Sequence, residues 1–222
     1  MDEARRFLRY VMPGLVYSTE TLLWLFIVFP EWTQRLILDL AAKDGLGVAL
    51  GSVLASGALG YIFATVHHWC HWHLSIDRGI LDHSDLINRL LAAGLLSNES
   101  NARRVDREEA LEISLADWYR PREHGNSIGD ATYKKLDSLG DQAHALGTAR
   151  VASFFSVVTA LAFCFKIGTF SLNFESIIRF VLMLLLGMGV TYLFHDAYRR
   201  VGTIAQAIYD RVFSAVGRGT AA

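Results

Sequence analysis

Cysteine, proline and charge are all scarce in this chain. The two cysteines among 222 residues, Cys70 and Cys164, fall in different apolar stretches, which excludes a disulfide framework. Three prolines, Pro13, Pro30 and Pro121, leave long runs that a helix can follow without interruption. Charged residues make up 19%, below the quarter or so usual in soluble domains, and the signs cancel to a net charge of -1. That balance removes bulk nucleic-acid binding from the candidate functions. No stretch alternates apolar and polar residues as a half-buried strand does. Gly-x-Ser-x-Gly, a phosphate-binding Walker loop, Cys-x-x-Cys and a glycine fingerprint after a strand are all missing, so nucleophilic and phosphate-loop chemistry is not indicated.

Apolar residues are abundant instead. They form 52% of the chain, and the mean hydropathy is +0.29. Four stretches are long enough to cross a hydrocarbon core, which takes about 20 helical residues. They cover residues 11–29, 47–66, 151–167 and 177–194. The first follows Arg5, Arg6 and Arg9 but ends in Phe29, Pro30, Glu31 and Trp32, so it reads as a retained span and not as a cleaved signal. Residues 33–42 have the pattern of an amphipathic helix in the membrane interface.

Basic residues set the orientation. Arginines precede the first span, crowd residues 74–150 and return after residue 195, while the loop between spans three and four has none. The pattern predicts an all-α integral membrane protein of a bacterial inner membrane, with four spans and both termini cytoplasmic. Residues 1–73 hold spans one and two, 74–150 a helical cytoplasmic domain, 151–195 spans three and four, and 196–222 an amphipathic C-terminal helix. In that tail Val201, Ile204, Ala205, Ile208 and Val212 keep one apolar stripe.

Three groups of residues are candidates for function. Glu20 sits near the middle of span one, where an acid is costly and faces the bundle interior or a wet cavity. Lys166, late in span three, lies closer to the outer face and can snorkel outward, so interior glue and the lining of an ion path both remain open for Glu20. At the end of span two, His67, Cys70 and His71 approach the level of His195, and such a set could hold a transition metal or haem. Histidine and tryptophan at a headgroup boundary also serve as plain anchors. Span two carries small residues on two faces, with Ser52, Ser56 and Gly60 in one row and Gly51 in another, which suits close helix packing or a homo-oligomer.

The third group is Arg78 and His83, an Arg-x4-His as in HEPN-type ribonucleases, although Gly79 replaces the polar residue those enzymes place after the arginine. With this motif between spans two and three, the chain resembles the small multi-span CRISPR-associated membrane accessory proteins and other membrane effectors of anti-phage defence. The match covers the layout of the chain and this one motif. The resemblance implies a pore or gate that assembles from several copies. It also implies control by a soluble nuclease or signalling partner acting on the cytoplasmic domain. Two other readings stand beside it: a metal or haem redox protein using the boundary histidines, and a structural subunit that recruits a soluble partner.

Overall fold

The computed structural model describes residues 7–42, 45–74, 130–166 and 173–219. Among them every regular element is a helix and no strand occurs. A π-helical turn, Phe7–Val11, leads into α1, Met12–Val28. Pro13 stands at the start of α1, where a missing N–H breaks no helical bond. The helix stops at Phe29, whose φ of -128° and ψ of 64° leave the helical region because Pro30 follows. Helix α2, Pro30–Ala42, starts at once on that proline. The Phe29 carbonyl accepts both the amide and the hydroxyl of Thr33, each at 3.0 Å, and so joins the two helices.

Three long helices follow. They are α3, Gly45–His73, α4, Asp130–Lys166, and α5, Phe174–Gly219. Residues 130–150 and span three form one helix of 37 residues, about 55 Å long. Span four and the tail likewise form one helix of 46 residues. Asn173 caps α5, its Oδ1 accepting the Ser176 amide at 2.8 Å, with Glu175 in the first turn to suit the helix dipole.

Among the described residues, four helices are long and apolar enough to cross a membrane, within Arg9–Val28, Leu50–His71, Lys134–Phe165 and Phe174–Arg211. The chain is an all-α, multi-pass membrane protein with an interhelical region between the second and third spans. Most of that region, residues 75–129, lies outside the described residues, and so do the helices expected there and the pair Arg78 and His83.

Two compact units divide the chain, Met1–Trp69 with Asp141–Tyr198 and Cys70–Gly140 with Arg199–Ala222. In the first, α1 and α3 pass antiparallel with their backbones touching. A Cβ on Gly14 would strike the backbone of Ser56, and one on Gly60 would strike the Tyr10 carbonyl. Helix α4 then packs on both. Phe63 of α3 meets Val151 and Ala152, while Trp24, Leu25 and Val28 of α1 form a cluster with Val157, Ala160, Cys164 and, from α5, Met183. At Gly187, α5 lies against Val157.

The interior is small and partly polar, the exterior large and apolar. Ser56, Thr148, Ser153, Ser156, Ala152 and Ala160 are buried. Leu54, Phe165 and Leu185 are 77%, 82% and 68% exposed, as suits side chains facing lipid tails. In the second unit the buried residues are Leu136 and Leu139 of α4 with Gly202, Ala205 and Tyr209 of α5. The packed face of the tail therefore differs from the predicted stripe: Ala205 is on it, Ile204 is half exposed, and Tyr209 supplies much of its bulk. A tyrosine buries a large apolar ring and keeps a polar end, which an aliphatic stripe overlooks.

The antiparallel crossing generates a prediction. Gly14→Ala and Gly60→Ala each place a methyl against backbone that cannot swing aside, at a cost of about 1–3 kcal/mol. Gly51 has nothing within 4 Å of such a methyl, so Gly51→Ala stays within about 0.5 kcal/mol of wild type. Reversible unfolding in mixed detergent micelles measures all three, and equal losses at Gly51 and Gly14 would remove the crossing.

Candidate functional site

Helix α4 carries polar residues at 150, 153 and 156, a spacing of three that keeps them on one face. Each of them meets another helix. Arg150 Nη1 lies 3.0 Å from His195 Nδ1 on α5 and donates to it. Ser153 Oγ and Thr191 Oγ1 share a hydrogen bond at 3.0 Å, and Thr191 also bonds the Gly187 carbonyl at 2.9 Å. Ser156 turns to α1, where its hydroxyl lies 2.9 Å from Glu20 Oε2 and accepts the Trp24 indole N–H at 2.9 Å. A fourth polar contact joins the Tyr17 hydroxyl to Thr159 at 3.0 Å.

The centre of this layer is buried and closely packed. Ser156 and Ser153 have no exposed surface, Trp24 is 1% exposed, and Glu20 itself is half-buried. Apolar clusters lie on either side along α4, at Val151 and Ala152 and again from Val157 onward. Glu20 is the only charged residue between positions 10 and 29, and the described apolar runs facing it, 47–66, 151–165 and 180–194, contain none.

A second polar group lies where the apolar runs end. The His67 imidazole is buried against Gly147, in the space a Cβ there would take. Its ring is edge-on to Tyr198 at 5.3 Å and to His144 at 5.7 Å. Arg150 stacks over the Tyr198 ring, 5.2 Å from its centre. Arg9, just ahead of α1, forms an ion pair with Asp141. This layer clamps the helices at one boundary of the apolar zone, by rings and charges that headgroups tolerate.

The predicted site residues are thus placed as follows. Glu20 stands within the polar layer, and Lys166 is the last residue of α4. Ser56 and Gly60 lie at the crossing with α1, whereas Gly51 and Ser52 face away, with Ser52 bonded to the Val48 carbonyl at 2.8 Å. His67 packs with His144 and Tyr198, and His195 with Arg150. Cys70 and His71 are half-buried on the last turn of α3, and neither Cys70 nor Cys164 forms a disulfide. No three histidine, cysteine, aspartate or glutamate side chains converge as a metal site among the described residues. Sequence reasoning missed Trp24, Ser153, Ser156, Thr191 and Arg150. Their signal was the three-residue spacing of polar groups entering an apolar run from Arg150.

Searches against protein families, curated proteins and solved structures find no match to this chain.

Ser156 can be tested as the hub of the layer. Ser156→Ala removes one acceptor of the buried Trp24 N–H and one of the donors to Glu20, which Ser153 and Trp24 also bond. Hydrogen bonds between membrane helices average about 0.6 kcal/mol and reach about 1.7, so a loss near the upper figure is expected. Trp24→Phe costs less, because the ring stays and only the donor goes. The double variant loses less than the sum, a shortfall that a double-mutant cycle in micelles reads directly. Strict additivity would show that Trp24 and Ser156 are not coupled.

Proposed function

We propose that this protein is a homo-oligomer of a bacterial inner membrane that forms or gates an ion path, with Glu20 as the polar group of that path. One observation carries the reading. Glu20 is half-buried in the bundle, hydrogen-bonded to Ser153, Ser156 and Trp24, and part of its surface stays uncovered. An ionisable side chain left against lipid at that depth costs about 2.5–3.5 kcal/mol, so its outer side calls for water or for a second protomer. The open small-residue face of α3, with Gly51, Ser52 and Ala55 exposed, offers a neighbouring helix the close approach that membrane packing favours. Both termini face the cytoplasm in this reading, by the bias of basic residues. Its extension to an anti-phage effector, triggered by a soluble nuclease or signalling partner, rests on the resemblance in layout and on Arg78 and His83.

Orientation is tested by reporters active only in the cytoplasm. Fusions after Asn126 and at Ala222 are expected to be active and one after Asn173 inactive. Activity after Asn173 would overturn the arrangement.

The ion path is tested at Glu20. Glu20→Gln keeps shape and hydrogen-bonding capacity, so assembly persists while depolarisation of expressing cells changes. Glu20→Leu acts more strongly by drying that level of the path. Detergent-corrected light scattering gives the assembly and a potential-sensitive dye the depolarisation. A monodisperse monomer sinks the assembly, and unchanged depolarisation in both variants reduces Glu20 to interior packing.

A further inference from the structure

Ser153, beside Glu20, is shared between two other helices. Its side chain hydrogen-bonds the Glu20 carboxyl, as do those of Ser156 and Trp24. It also lies 3.0 Å from the Thr191 hydroxyl of α5, and Thr191 in turn lies 2.9 Å from the Gly187 carbonyl. Ser153 is fully buried, so its one hydroxyl proton goes to one of these partners. An ionised carboxylate is the stronger acceptor, because a charge-assisted hydrogen bond is roughly twice as strong as a neutral one. With the Ser153 proton on Glu20, Thr191 becomes the donor in its bond to Ser153. The Gly187 carbonyl keeps the Thr191 amide as its partner within α5, so it needs only a minor share of that hydroxyl proton.

The hydrogen bonds then run one way, from Thr191 through Ser153 to Glu20. Ser156 is backed likewise by Trp24, 2.9 Å away, but Trp24 stands on α1 with Glu20 itself. A hydroxyl that accepts a bond donates its own more strongly, by about 10–30%. Without Thr191, the Ser153 hydroxyl has a competing acceptor in the carbonyl one turn back, the bond that Ser18, Ser52 and Thr65 make. Helix α5 is placed to supply or withdraw this support. It meets α4 along one stripe, with Gly187 on Val157, Thr191 bonded to Ser153 and His195 to Arg150. Leu185, Leu186, Met188, Tyr192 and Leu193, on its other sides, are exposed. Thr191 is where that narrow contact meets the polar layer.

We infer that Thr191 is a positioning residue for Glu20: it turns the Ser153 hydroxyl onto the carboxylate and gives α5 a hold on the acid. The assignment rests on the reading of Glu20 as part of an ion path. A displacement of α5 from α4 breaks the Ser153–Thr191 bond and weakens one of the three donors to Glu20. Ion passage at Glu20 is thereby tied to the seating of α5, although the acid stands on α1.

Infrared spectroscopy of the full chain in lipid vesicles tests this. The carboxylate stretch that Glu20→Gln removes belongs to Glu20. It is expected to move in Thr191→Val, which keeps the shape and loses the hydroxyl, and to return in Thr191→Ser. Ser153→Ala moves the band further, and Thr191→Val adds nothing in that background, because it acts through Ser153. Thr159→Val, which breaks the Tyr17 contact in the same layer, leaves the band in place. Glu20-dependent ion flux across the vesicle membrane is expected to change about twofold in Thr191→Val, the size that strengthening one charged hydrogen bond by about 10–30% implies. An unmoved band in Thr191→Val, a shift that Thr191→Ser fails to reverse, or no carboxylate band lost in Glu20→Gln would overturn the proposal. Flux separates it from the reading beneath it. A band shift with flux indifferent to Glu20→Gln would keep the role of Thr191 and remove the ion path. Flux that depends on Glu20 while Thr191→Val matches wild type in both measurements would keep the path and remove Thr191.

Discussion

Hydrocarbon offers no water to a polar atom, and this constraint orders the whole bundle. A polar group between the boundary layers is costly unless it finds a partner. Hydroxyls that face their own helix do so by bonding the carbonyl one turn back, as Ser18, Ser52, Thr65 and Thr191 do. Trp24, Glu20 and Ser156 satisfy one another across a helix interface instead. Those cross-helix bonds fix which turn of α1 meets which turn of α4. Apolar side chains cannot specify this, because lipid tails suit a leucine as well as another leucine does.

Close packing supplies what hydrogen bonds cannot. A cross-helix hydrogen bond in a membrane is worth about 0.6 kcal/mol on average, less than the dispersion gained when two backbones meet over a full turn. Gly14 against Ser56 and Gly60 against Tyr10 give α1 and α3 that contact. Gly147 does the same for the His67 ring. Small residues therefore bring the helices together, and the polar layer chooses the register in which they stay. This division explains why serines, threonines and glycines fill the interior while leucines and phenylalanines cover the outside.

Much of this was legible in the sequence, though unevenly. The four apolar runs follow from length and composition, and the row of small residues with Ser56 and Gly60 from spacing, all of which depend on local residues alone. Glu20 was legible as an anomaly, because a lone charge in a long apolar run is costly. Its partners were not, since Ser156 is 136 positions away and looks like any serine in a span. The histidines at the end of span two were open to two readings, headgroup-level anchors or a ligand set, and the helix turns its consecutive residues in different directions. His67 points inward to His144 and Tyr198, while His68 is exposed. The tail shows another kind of miss, in which an aliphatic stripe was followed and Tyr198 and Tyr209 were overlooked.

The placement of charge along α4 decides what holds Glu20. Arg150 lies six residues before Ser156, about 9 Å along the helix axis. At that separation, and with an effective dielectric constant of about 20, its attraction for a carboxylate is roughly 2 kcal/mol. Taking a carboxylate out of water costs several kcal/mol even after the protein relaxes, so Arg150 at that distance does not offset the cost. Arg150 is engaged elsewhere in any case, with His195 and the Tyr198 ring at the boundary. The two polar layers are therefore separate in kind. The boundary layer, with Arg9, Asp141 and Arg150, works through charge at a depth where headgroups and water screen the cost. The inner layer contains one acid and no base, so hydrogen bonds to Ser156 and its neighbours hold Glu20 in place of an ion pair.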